Sequence, residues 1–332
     1  MIKFFKNNNP AIFVLFPIII FLFNLKVFYS ETIYKFPEFP TVFTQKIFNL
    51  IEGANSLLAA SFINGILLIV VTFLFMNLLS KYIYFEARNY FHGFIFIFLN
   101  TIFISPYEYI PVIIAELFFV IALIILFGAA KKQNAVFDFF NISFILALGS
   151  LFWFNLIYFT IIIFFSLIIM RRILIREWIS VIVGTVTPYL LLVSIYFILY
   201  GNIEILDSIK IMFSKNTSEL SFTNIYLIYF GFLFLLGILS GLKILSVFNG
   251  LNIDLREYYK IFNWINLLAL IILFFSDYQN TGALYFSLLT LTIPITRFFN
   301  FTKRKLFFEI TFDILLVLLI LTQIWIKIPY FE

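Results

Sequence analysis

Apolar residues run along this chain in blocks rather than in alternation. Blocks at 10–28, 56–80, 91–104, 111–130, 223–248, 262–276, 283–299 and 306–325 hold almost no charge. A helix that crosses a bilayer needs about 20 such residues, with roughly 17–25 as the working range. Most of the blocks meet that length, and they are apolar all round instead of showing the one polar face of a soluble surface helix. Short polar connections separate them, among them KYIYFEARNYFH, SPYEYIP, NGLNIDLREYYK, DYQNTG and NFTKRK. SPYEYIP reads as a turn and NGLNIDLREYYK as a charged loop. Pro10 and Pro111 suit first helical turns, where a missing N–H costs nothing. The stretch 29–55 is the longest early connection. Within it, Phe43, Ile47, Phe48, Leu50 and Ile51 fall mostly to one side of a helix, the pattern of a segment lying in the membrane interface.

The pattern departs from this rhythm at 135–190. The apolar run 135–170 is too long for one crossing, and RRILIREW follows it. As a single span it would put Lys131 and Lys132 on the opposite side from Arg171, Arg172 and Arg176. A hairpin keeps both clusters on one side, as the positive-inside rule prefers. Its turn is expected at 149–155, GSLFWFN, where Gly, Ser and Asn break a helix. Each arm has about 18 residues, barely a crossing, and a re-entrant pair that does not cross fully gives the same parity. A cytoplasmic Arg-rich turn at 171–178 then leads into a span that contains Gly184 and Pro188.

These readings predict an all-α, polytopic transmembrane bundle of about eleven spans, one domain over 1–332, with a cytoplasmic N-terminus and the C-terminus outside. With that orientation, 16 of the 22 Lys and Arg fall on the inner side. Composition agrees. The chain is 63% apolar and 12% charged, with a mean hydropathy of +1.08, whereas soluble domains carry about 25% charged residues. The 50 Phe fit an AT-rich coding bias. The net charge of +5 then reflects inner loops and implies no nucleic-acid partner. With no Cys and a single His, His92, disulfides, thiolate chemistry and a His-rich metal centre are excluded. The first block lacks a small-x-small cleavage site and reads as a retained span. The expected location is a bacterial inner membrane, with lipids as partners and no cofactor indicated.

Ionisable groups inside spans come first among candidate residues, because burying them is costly. Glu116 lies one turn beyond Pro111, near the outer boundary. Asp138 opens the hairpin, where the helix dipole and Lys131–Lys132 offer an ordinary explanation. Glu309 and Asp313 share one face of the last span, close to Lys303–Lys305. Outer carboxylates Glu31, Glu108 and Asp277 are weak candidates for a general base in sugar transfer from a lipid carrier. Lys35, Arg171, Arg172 and Arg176 are candidates for anionic head groups. Gly237 and Gly241 form a GxxxG helix-packing signal. P-loop, GxGxxG, HExxH and GxSxG motifs do not occur in the sequence.

The order at 141–190 is an Asn start, the small-residue break LALGSLFWFN, an apolar span, REW, and GTVTP followed by YLL. It resembles a family of polytopic inner-membrane proteins of flavobacteria and their relatives, known as a domain of unknown function. That resemblance implies an inner-membrane location and carries no catalytic residue. A looser likeness is to the C-type membrane glycosyltransferases, which take sugars from polyprenyl phosphates on the outer side. They share an N-in first span, an acidic early outer connection and Pro-broken spans; here Glu31 in SETIYKFPEFP stands for the acidic motif. Three functional readings follow: an envelope-assembly enzyme acting on a polyprenyl-phosphate-linked sugar, a non-catalytic scaffold, and a transporter.

Overall fold

A computed structural model describes residues 15–20, 56–83, 90–100, 106–130, 132–170, 174–201, 224–247, 250–275, 281–301, 309–314, 317–318 and 321. Among these residues all regular structure is helical. The helices are α1 (Ser56–Tyr82), α2 (Phe91–Asn100), α3 (Pro106–Ala129), α4 (Val136–Ser150), α5 (Thr160–Met170), α6 (Ile175–Tyr200), α7 (Asn224–Val247), α8 (Ile253–Phe275) and α9 (Thr281–Phe301), with a 3₁₀ segment at Phe154–Phe159 between α4 and α5. Further helical residues lie at 15–20 and 309–314. The interfacial stretch expected at 29–55 lies outside the described residues.

Three helical stretches, Ala59–Tyr82, Tyr109–Ala129 and Ile175–Tyr200, are long and apolar enough to cross a membrane. Two of them, on α1 and α6, also have apolar outer faces. Phe62 and Ile66 on α1, and Ile179, Ile182, Leu190 and Ile198 on α6, are all exposed. An apolar face this extensive is not stable in water and marks a surface made for lipid or another protein.

Two boundaries differ from the sequence reading. SPYEYIP is not a turn, because α3 begins at Pro106. Pro106 occupies the first helical position, and Pro111 comes so early that only the carbonyl four residues back loses its partner. NGLNIDLREYYK is not all loop, because α8 begins at Ile253. Leu255, Tyr258, Tyr259 and Phe262 are buried there, while Lys260 is exposed. The charges therefore sit on one side of an amphipathic first turn, which a reading of charge density alone takes for a loop.

α1 and α3 run parallel. They lie side by side, and their last turns meet: the Tyr82 hydroxyl donates to the Ile124 carbonyl over 3.3 Å, and its ring stands 5.7 Å from Phe127. Tyr258, in the second turn of α8, joins them at 5.9 Å from Tyr82. Near the same end, Arg297 of α9 donates to the Tyr259 hydroxyl and lies over its ring at 4.9 Å. Lys132 follows α3 and pairs with Asp138 at 2.6 Å. Lys81, Lys132, Arg256, Lys260 and Arg297 are thus gathered at one end of the bundle.

The chain doubles back after α4. Gly184 of α6 faces Ser143 and Phe140 of α4, and Tyr189 of α6 meets Ser150 of α4, hydroxyl to hydroxyl, over 2.5 Å. Higher numbers on one helix meet higher numbers on the other, so α4 and α6 are parallel and the intervening 3₁₀ segment and α5 run back between their ends. α4 stops at Ser150, and the reversal falls inside the expected 149–155. Arg176 begins α6 at the basic end and is exposed. RRILIREW is therefore helical from Ile175 onward, while Arg171 and Arg172 lie outside the described residues.

The tip of this hairpin is buried. Phe152 stacks on Phe118 of α3 at 5.9 Å. Trp153 stacks on Phe286 of α9 at 4.7 Å, and Phe286 also packs on Phe119 and Phe159, each at 5.1 Å. From Phe118, α3 continues back to Pro106 for about 18 Å, and from Tyr189, α6 continues to Tyr200 for about 16 Å, at 1.5 Å per residue. The hairpin therefore ends well short of the helices around it.

Candidate site inside the helical bundle

Glu116 is fully buried. Neither of its carboxylate oxygens has a hydrogen-bond partner among the described residues. The early start of α3 puts Glu116 about 15 Å into the helix. Glu116 shares a stripe of α3 with Val120, Leu123 and Phe127, all buried. Phe127 packs on Tyr82 of α1 and Phe262 of α8, so this stripe faces the middle of the bundle.

A second unanswered acceptor lies on α2, a helix whose ten residues are all buried. The Asn100 side-chain nitrogen donates to the Phe96 carbonyl over 3.0 Å. This turns its Oδ1 away from its own helix, and that oxygen has no partner among the described residues. The level of Asn100 follows from α1. Phe75 of α1 stands 5.1 Å from Phe96 of α2, and Gly93 of α2 lies against Met76, so α2 runs opposite to α1. Four residues beyond Phe96, Asn100 is level with about Val71 of α1. Counting back from the Tyr82–Ile124 contact along the parallel pair α1 and α3, Glu116 is level with about Leu74. The two groups thus stand at about the same depth along α1, on helices that each pack against it.

Several other polar side chains in the interior are answered locally. Thr72, Ser143, Ser166, Thr292 and Thr296 donate to carbonyls three or four residues back in their own helices. Thr290 donates to Asn266 across α8 and α9. His92 is buried beside the Met76 backbone. Against this background, Glu116 and Asn100 leave three oxygens that only accept. The chemistry that suits them is a proton, a cation or a hydrogen-bond donor.

The remaining candidates are not brought together. Glu108 lies in the first turn of α3, about 12 Å along the helix from Glu116. Glu31, Lys35 and Asp277 lie outside the described residues. Glu309 and Asp313 are exposed, and Lys303–Lys305, offered as their partners, lie outside the described residues. Asp138 has the ordinary role anticipated for it, paired with Lys132 whose side chain is 54% exposed. Such a pair contributes at most about 1 kcal/mol, so Asp138→Asn is expected to shift the thermal midpoint of the purified protein by no more than about 2–4 °C.

Two buried residues had escaped the sequence reading. Asn100 ends the run FIFIFLN, and an amide closing so apolar a stretch was the available signal. Glu177 is buried in the first turn of α6. It stands in REW, where the arginines drew attention away from the acid. Comparison with family models, with curated proteins and with solved structures finds no match.

Proposed function

We propose that this chain is a multi-pass protein of a bacterial inner membrane, with its N-terminus in the cytoplasm, and that it works as a transporter in which Glu116 loads and releases a proton or cation. The observation that carries this reading is Glu116 itself: a fully buried carboxylate without a partner among the described residues, inside a helix apolar enough to span a bilayer. Ionisable groups placed this way mark ion pathways and proton relays. Removing the charge would relieve a cost, so its presence calls for a use.

The hairpin supports the same reading. Non-helical backbone at membrane depth is tolerated where protein buries it or a cavity receives it, and broken helices build the mid-membrane sites of secondary transporters. With its tip short of α3 and α6, the α4–α5 pair acts as a re-entrant hairpin, which lowers the crossings expected from eleven to about nine and leaves the parity intact. The basic end, with Lys81, Lys132, Arg256, Lys260 and Arg297, is the cytoplasmic one by the positive-inside rule.

The alternative of an envelope enzyme acting on lipid-linked sugars depends on Glu31, Glu108 and Asp277, and only the helix position of Glu108 is available to it. The scaffold reading gives Glu116 no task. Solid-supported-membrane recordings with the reconstituted protein separate the three. Wild type and Glu31→Gln are expected to give a transient current on a pH jump, and Glu116→Gln to lose it by about a hundredfold or more, the low end for a deleted proton-transfer group. An undiminished current in Glu116→Gln overturns the transport reading. Loss with Glu31→Gln alone returns the function to the outer carboxylates.

A further inference from the structure

We infer that one face of α8 holds a single anionic phospholipid of the cytoplasmic leaflet, its phosphate on Arg256 and Lys260 and its acyl chains along Trp264, Leu267 and Ile271. The inference rests on the membrane placement and orientation proposed above and is independent of the transport reading. The five residues recur at steps of three and four, so they form one stripe along the helix. Arg256 and Lys260 stand at its basic end, and Lys260, Trp264, Leu267 and Ile271 are all exposed. Trp264 stacks on Phe165 of α5 at 4.5 Å, which places α5 beside the stripe. Charge, indole and aliphatic side chains thus follow one another in the order of head group, interface and acyl chain. From Lys260 to Ile271 the stripe is about 16 Å long at 1.5 Å per residue, close to half of the roughly 30 Å hydrocarbon core.

The charges point the same way. Arg256 and Lys260 are like charges four residues apart, which repel, and they lie near the start of a helix, which disfavours cations. The Arg256 Nε is buried and has no hydrogen-bond partner among the described residues. Arg297 of α9 brings a third cation. It donates to the hydroxyl of Tyr259, which lies three residues from Arg256 on the same side of α8. Two carboxylates share these turns. Asp254 is on the far side of the helix from Arg256. Glu257 stands one turn from Lys260; burial and Asp254 push its carboxyl up, against the pull of Lys260. In this group, among the described residues, the three cations exceed the two carboxylates by one charge. A phosphodiester with one negative charge neutralises it, and its oxygens suit the guanidinium donors. Free phosphate would meet the same cations and leave the apolar part of the stripe uncovered.

The test uses the purified full-length protein in neutral detergent, with lipid binding followed by native mass spectrometry and by thermal unfolding. Phosphatidylglycerol is expected to bind and to raise the midpoint, by about 2–4 °C for each tenfold increase above its Kd. Phosphatidylcholine and inorganic phosphate at equal concentration are expected to do neither. One basic side chain near the head groups changes affinity about fivefold, so Lys260→Gln is expected to weaken phosphatidylglycerol binding by about that factor, and the double variant Arg256→Gln, Lys260→Gln by about 25-fold. Lys260 is exposed, so its variant keeps the test open if the double variant fails to fold. Lys81→Gln, at the same end of the bundle but on α1, is expected to change the affinity by at most about twofold. Equal binding of the two lipids overturns the inference. So does stabilisation by inorganic phosphate equal to that by phosphatidylglycerol, which would assign the cations to a soluble anion. An equal loss in Lys81→Gln and Lys260→Gln also overturns it, because the attraction would then be spread over the whole basic end.

Discussion

Gly184→Leu is expected to abolish accumulation of folded protein, and Gly184→Ala to lower its stability by about 1–3 kcal/mol, the cost of overpacking a tight core. A Cβ at Gly184 would collide with the Ser143 hydroxyl and stand 2.5 Å from the Phe140 carbonyl oxygen. The second obstacle is backbone, so no side-chain rotation relieves it; α4 and α6 must separate. Their separation has further consequences. It strains the Ser150–Tyr189 hydroxyl pair at the hairpin tip and with it the Trp153–Phe286 stack that closes the tip against α9. Between apolar helices in lipid, close packing replaces the hydrophobic effect as the driving force, so a small residue at the crossing matters more than in a soluble bundle. Gly231 provides the control, since a Cβ there meets nothing within 4 Å among the described residues. Gly231→Ala is expected to be neutral or to stabilise by about 0.5–1 kcal/mol, the helix preference for Ala over Gly. Thermal unfolding followed by size-exclusion chromatography reads both signs. Equal behaviour of the two alanine variants would remove the close α4–α6 approach as the explanation for Gly184.

Gly184 also shows what could be read in advance. GTVTP was singled out as a motif, and its glycine turns out to be the contact point of two helices. The GxxxG at Gly237 and Gly241 was read as a helix-packing signal, yet among the described residues only Gly237 approaches a neighbour, Leu291 of α9. Spacing identifies a flat helix face and says nothing about whether a partner lies on it. The hairpin was legible because charge parity forbids a single crossing. Its shallow depth was not, because lipid and protein interior are equally apolar and leave the same residues on either surface. The start of α3 was hidden by its two prolines, which read as a turn but sit where a helix tolerates them. Glu116 stood out as a charge in an apolar block, whereas Asn100 did not, because an amide at the end of a run looks like an ordinary boundary.

Glu116→Leu is expected to make the protein more stable and inactive. In the folded state the carboxyl group has lost its water and gained no hydrogen bond among the described residues. A buried polar group left unanswered costs about 1–3 kcal/mol, and an apolar side chain of similar size at the same point removes that cost while keeping contact with its packed neighbours. Glu116→Leu should therefore unfold at a higher temperature than wild type, by about 2–4 °C for each kcal/mol gained. A structural carboxylate behaves in the opposite way. Cutting one partner of a buried, paired charge leaves the other uncompensated and costs about 3–5 kcal/mol, so a drop in midpoint would show that Glu116 is held by a partner and would withdraw it as a working group. The pH-jump current supplies the second half of the argument. A residue that costs stability and whose loss leaves transport untouched would be a defect without a purpose; a residue that costs stability and whose loss abolishes the current is one the membrane fold carries for its chemistry. Gain of stability and loss of current in the same variant is the expected result. Each measurement can fail independently of the other.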